Sequence, residues 1–151
     1  VNTVRLNSTL PSSEGFVALR KQADWGNISR NQAEGALEQS LCGVTAFDGD
    51  MLIGMARVIG DGILNLYIQD VIVAKSYRGL GVGKQIIEQL IADLGERFPP
   101  TCSVGLMAAK GQSTFYESFG FDIRPSDKTD VGMQSSLSQL YSHLAKSGRN
   151  A

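Results

Sequence analysis

Val71-Ile-Val-Ala-Lys-Ser-Tyr-Arg-Gly-Leu-Gly-Val-Gly-Lys84 decides how this chain is read: an apolar strand runs into alternating glycines and then straight into a helix. Behind it Ile86, Ile87, Leu90, Ile91 and Leu94 recur on one helical face, which predicts a helix over Lys84–Arg97 that Phe98-Pro99-Pro100 ends. Such a junction favours an anion. Glycines let the backbone approach closely, and the first helical turn offers N–H groups without intrahelical partners at the positive end of the dipole. Arg78 and Lys84 add two mobile positive charges to the same turn. A phosphate or pyrophosphate is the guest that suits it.

Upstream, Leu41–Phe47, Met51–Ile59 and Ile63–Ala74 are rich in strand formers. They are separated by Asp48-Gly49-Asp50 and Gly60-Asp61-Gly62, turn chemistry for tight antiparallel hairpins. Ahead of them Ser29-Arg-Asn-Gln32 has the spacing of a capping box, and Ala33, Ala36 and Leu37 continue behind it at helical period. Downstream, Cys102–Ala108 is an apolar run of strand length, Ser113–Phe119 is predicted helical with Gly120 capping its end, and Phe121–Arg124 returns as a strand. A last helix, at about 136–147, carries the apolar stripe Leu137, Leu140, Tyr141 and Leu144. This order predicts a single α+β domain over residues 1–151, built on a mostly antiparallel central sheet flanked by helices. The final stripe either packs at home or joins two subunits as a homodimer.

Composition narrows the function. With 42% apolar and 19% charged residues in 151, the chain can bury a core. Its 14 basic and 15 acidic side chains disfavour a nucleic-acid binder or a polybasic membrane anchor. No apolar run approaches a membrane span, and the N-terminus lacks a secretory pattern, so the expectation is a soluble cytoplasmic domain. Cys42 and Cys102 lie far apart and form neither a disulfide framework nor a metal motif. The single histidine, His143, points away from the apolar stripe of its helix. That argues against a His-rich zinc site or a hydrolase triad, and no metal is expected.

Nucleotide motifs fit the glycine loop poorly. A Walker loop needs Gly, four residues, then Gly-Lys and Ser or Thr; here Gly83-Lys84 is followed by Gln85, and Arg78 stands where the first glycine belongs. A dinucleotide fingerprint fails at its third glycine, which falls on Lys84, and the preceding strand follows antiparallel hairpins rather than opening a parallel unit. By contrast, Arg78-Gly-Leu-Gly81-Val-Gly83 resembles the Arg/Gln-x-x-Gly-x-Gly/Ala signature of the GNAT superfamily of N-acetyltransferases. Phe115-Tyr-Glu-Ser-Phe-Gly-Phe121 resembles that family's helix ending in Tyr-x-x-x-Gly-Phe. The two blocks stand in the family's order with a strand between them, and the resemblance covers roughly Leu41 to Ile123.

The resemblance implies acetyl-CoA as co-substrate and the amine of a small molecule as acceptor, joined by direct transfer. It implies that backbone N–H groups of Arg78, Gly79, Leu80, Gly81, Val82, Gly83 and Lys84 hold the pyrophosphate. The strand segment Val71, Ile72 and Val73 would run along the pantetheine arm, with main-chain groups of Val71 and Val73 pairing in the manner of an added strand. Tyr116 occupies the position of the general acid, and a phenol near pKa 10 can protonate a thiolate. Asp70, a carboxylate inside the apolar run Leu66–Ala74, is either the base or a structural acceptor for backbone N–H groups or Arg57. Water is a third route for the amine proton. Where the family often has an Asn seven residues before the acid, this chain has Ala109, and Ser113 is the substitute at hand. A non-catalytic acyl-CoA-binding or sensor module is the competing reading, and the presence of Tyr116 speaks for the enzyme. Trp25 is either core or a wall of the acceptor pocket, and Asp61 is either turn chemistry or a neighbour of the amine.

Overall fold

Strand-forming runs and their turns organise the first part of the computed structural model, which describes residues 3–146. β1 (Arg5–Asn7), β2 (Cys42–Asp48), β3 (Met51–Gly60), β4 (Asn65–Val73) and β5 (Ser103–Gly105) make one five-stranded sheet in that order. Neighbours are antiparallel except β4 and β5, which run parallel. The sheet is therefore mixed and mostly antiparallel, as the hairpin turns predict. β1 has no counterpart in the sequence reading, because three residues, Arg5–Asn7, carry no resolvable period.

The hairpin strands start and stop where side chains intervene. Asp61 Oδ1 accepts the N–H groups of Ile63, Leu64 and Asn65 at 2.8, 2.8 and 2.9 Å, so β4 begins at Asn65 rather than at Ile63. β5 is shorter than the apolar run Cys102–Ala108, because its pairing with β4 ends at Tyr67 opposite Gly105.

Helices cover both faces of the sheet. α1 (Ser13–Gln22) and α2 (Arg30–Glu38) place Phe16, Leu19 and Ala33 in one buried cluster with Met55, Ile72 and Ala74. The capping box at α2 forms as its spacing predicts, with Ser29 Oγ accepting from Gln32 N–H and Gln32 Oε1 accepting from Ser29 N–H. On the opposite face α3 (Val82–Arg97) buries Val82, Ile86, Ile87, Leu90 and Leu94. Gly54 sits beneath it; a Cβ there would come within 2.7 Å of Ile86 Cδ1. Ile91 departs from the predicted apolar face and is 39% exposed, at the margin of the stripe.

Contacts divide the chain into two compact units, Val1–Leu106 and Met107–Ala151. The sheet and α1–α3 belong to the first. The second carries α4 (Ser113–Glu117) and α5 (Leu137–Lys146). The expected strand Phe121–Arg124 does not form among the described residues. A strand exists only through a ladder, and here Arg124 Nε instead bonds Asp130 O at 3.0 Å beside a small turn in which Ser126 pairs Thr129. α5 matches the predicted last helix through Lys146; residue 147 of that expectation lies outside the described residues. Among the described residues no helix is long and apolar enough to cross a membrane, and no cluster of His, Cys, Asp and Glu could hold a metal ion.

Candidate functional site

The glycine loop leaves β4 through a short 3-10 turn, Lys75–Tyr77, and enters α3 at Val82. Gly79 and Gly81 adopt φ +76° and +81°, a region that L side chains avoid, and nothing stands within 4 Å of a Cβ built at either. Gln85 N–H is the first of α3 to find a backbone carbonyl, that of Gly81 at 3.1 Å. The N–H groups of Val82, Gly83 and Lys84 thus have no intrahelical partner, and no side chain caps this end. Open space faces unpaired donors, which is the condition an anion requires.

The loop is braced from behind. Tyr77 Oη donates to Asp48 Oδ2 at 2.8 Å, a bond that raises the phenol's pKa. Lys75 N–H donates to Gln22 Oε1 at 3.0 Å. Arg78 does not hang free as the sequence suggests. Its Nε donates to Val73 O at 3.0 Å and its Nη2 to Gln22 O at 3.1 Å. Lys84 is exposed at the start of α3, its Nζ 3.7 Å from Glu88 Oε1.

β4 supplies the second feature. Beyond Tyr67 its pairing with β5 stops, so among the described residues Ile68–Val73 pairs with β3 alone and leaves one edge open. Within that stretch Met55 faces Ile72 and Arg57 faces Gln69, so Asp70 and Val71 together oppose Ala56. This is a bulge, and Asp70 carries it at φ +52°. A bulge re-aims the main chain where it falls, here at Val71.

The carboxylate of Asp70 is fully buried and doubly held. Arg20 Nη1 reaches Oδ1 and Arg57 Nε reaches Oδ2, each at 2.6 Å, with 17% and 13% of the arginine side chains exposed. Both guanidinium groups lie over the Phe16 ring, 5.9 and 5.6 Å from its centroid. Arg20 Nη2 also donates to Trp25 O and Arg57 Nη1 to Ser40 Oγ, both at 3.1 Å. Trp25 itself is 41% exposed. Arg20 and Gln22 were not singled out from the sequence. The available hint for Arg20 is its i,i+4 spacing from Phe16, which puts it on the buried face of α1. Asp61, bonded to three backbone N–H groups, serves the turn.

The remaining predicted residues belong to the second unit. Tyr116 lies on α4, in edge-to-face contact with Phe115 at 5.0 Å and with Phe121 at 6.0 Å between ring centroids. Burial pushes its phenol above the ordinary value. α4 stops at Glu117, short of the predicted end at Phe119, with Ser118 as its cap; Gly120 follows in the turn at φ +98°, its N–H bonded to Glu117 O. Ser113 opens α4, and Ala109 is exposed ahead of it. The strand segment Val71–Val73 and the loop Arg78–Lys84 are continuous within the first unit.

A family model for the acetyltransferase (GNAT) domain matches residues 12–134. The chain belongs to the GNAT family. Among solved structures this GNAT domain is similar to a probable acetyltransferase of unknown function from Staphylococcus aureus. The two are 34% identical with a TM-score of 0.78, over 89% of this chain and 99% of the other. A GNAT-family acetyltransferase from Streptococcus pneumoniae is 26% identical with a TM-score of 0.71, over 89% and 98%. A chloroplastic serotonin N-acetyltransferase of Oryza sativa is 33% identical over 88 residues, 58% of this chain and 43% of the relative. A histone acetyltransferase of Glycine max is 40% identical over 74 residues, 49% of this chain and 31% of the relative. The GNAT domain thus spans less than half the length of these two curated relatives.

Proposed function

We propose that this chain is an acetyl-CoA-dependent N-acetyltransferase that acetylates the amine of a small molecule by direct transfer. The observation that carries the reading is the continuity of an open β4 edge with a glycine loop whose helical N–H groups lack partners. An extended acyl–pantetheine arm can pair along Ile68–Val73 as an added strand, and the pyrophosphate that follows it meets the donors of Val82–Lys84. Nothing stands within 4 Å of a Cβ built at Gly79 or Gly81, so a phosphate can approach the backbone closely there.

Bound acetyl-CoA supplies a thioester whose C–S bond breaks as the amine forms the new C–N bond, giving the amide and CoA thiol. The chain's part is to position and to move protons. The bulge at Asp70 turns a main-chain N–H near Val71 out of the ladder, toward the developing oxyanion. The Tyr-x-x-x-Gly-Phe motif assigns Tyr116 the role of general acid toward the departing sulfur, and its raised pKa keeps the phenol protonated. For Asp70 we favour the structural role, because each carboxylate oxygen already takes a short bond from a guanidinium. Water then accepts the amine proton.

Incubating the protein with acetyl-CoA and a panel of amines, while following free thiol, tests the reading. Amine-dependent thiol release is expected. Gly81→Asp should abolish most of it by weakening acetyl-CoA binding by more than about 2 kcal/mol, since it puts a side chain and a like charge where the phosphates approach. Undiminished acetyl-CoA binding in a folded Gly81→Asp variant would overturn the assignment of the loop.

A further inference from the structure

We propose, building on the acetyltransferase reading, that Arg20 and Arg57 bind a negatively charged oxygen group of the acceptor, making the substrate a small amine that also carries a carboxylate or phosphate. The argument starts from charge. Two guanidinium groups, 17% and 13% exposed, share the single carboxylate of Asp70. Among the described residues neither has another carboxylate within 4.0 Å. The cluster therefore holds one uncompensated positive charge largely out of water, a costly state unless an anion joins it.

The donors tell the same story. The two side chains make four hydrogen bonds between them, to Asp70 Oδ1 and Oδ2, Trp25 O and Ser40 Oγ. Two guanidinium groups carry many more N–H donors than that. Arg20 Nε is buried with no acceptor at all. An ion pair needed only to hold Asp70 would be complete with one arginine; the second leaves a site short of negative charge and short of acceptors.

Position completes the argument. Asp70 immediately precedes Val71, where the bulge aims the main chain at the acyl group, and Arg20 also holds the backbone of Trp25 in the connection between α1 and α2. An anion seated on this cluster places the rest of its molecule beside the reacting end of β4. Buried polar groups left unpaired by a substrate lacking the anion also supply strong discrimination.

Matched amine pairs read this directly: tryptamine against tryptophan, phenethylamine against phenylalanine, and glucosamine against its 6-phosphate. Each compound is offered with saturating acetyl-CoA for kcat/KM, and titrated calorimetrically into the CoA-bound protein so that binding is read without turnover. At least one charged partner should be favoured by about tenfold or more. The amino acids report a carboxylate and the sugar pair a phosphate. Arg57→Gln should bring the ratio close to one with acetyl-CoA affinity unchanged, while Arg57→Lys retains most of the preference. Arg20→Gln serves if Arg57→Gln fails to fold. Equal turnover and equal binding within every pair, by protein that binds acetyl-CoA, would overturn the proposal. Protein that binds no acetyl-CoA would overturn the acetyltransferase reading instead, and titrating the pairs into the free protein would still read the anion preference.

Discussion

Tyr116 separates packing from chemistry more cleanly than any other side chain here. Its ring meets Phe115 and Phe121 edge to face, contacts a phenylalanine would keep. Its hydroxyl is what Tyr116→Phe removes. We expect single-turnover acetyl transfer to fall about a hundredfold or more with acetyl-CoA affinity and folding nearly intact. A parent-like rate in that assay would make Tyr116 a packing residue. Its place on a helix ahead of a glycine turn is legible in the sequence, because Tyr-x-x-x-Gly-Phe has fixed spacing and Gly120 turns the chain at φ +98°. Arg20 was not legible in that way. A cation on an amphipathic helix ordinarily faces water, and the partner that draws it inward, Asp70, lies 50 positions along the chain.

Among the elements, the β3–β4 hairpin shows how one carboxylate sets a strand's start. Three backbone N–H bonds hold the Asp61 pKa at about 2, against its ordinary 3.8. A carboxylate depressed on folding contributes stability above its unfolded value, and that contribution is lost as pH falls from about 4 through about 2. An NMR titration should place the Asp61 midpoint near 2, with the Ile63, Leu64 and Asn65 amides losing exchange protection through the same window; Asp61→Ala should remove that step. The turn also seats the next strand, since Ser103 N–H donates to Leu64 O at 2.8 Å. Hairpins of this kind announce themselves through glycine and aspartate. Short partners do not: β1 and the truncation of β5 are settled by which backbone they meet, and Phe121–Arg124 find no strand to pair with among the described residues.

At the scale of the molecule, Asp70 ties α1, β3 and β4 together through one buried carboxylate. Asp70→Asn keeps the shape but presents an amide donor to one of two guanidinium donors. It should destabilise the fold by about 3 kcal/mol in denaturant titration. A base role alone predicts a variant of full stability that has lost only its rate. The same residue bears on solubility. Val71–Ala74 is an uncharged apolar run beside a strand edge that β5 does not cover, and such an edge is a template on which another chain can add and aggregate. A flat edge would invite that pairing along its whole length. The left-handed kink at Asp70 breaks the regular ladder just before the run, so a second copy cannot register along it, whereas a single flexible chain can follow the bend.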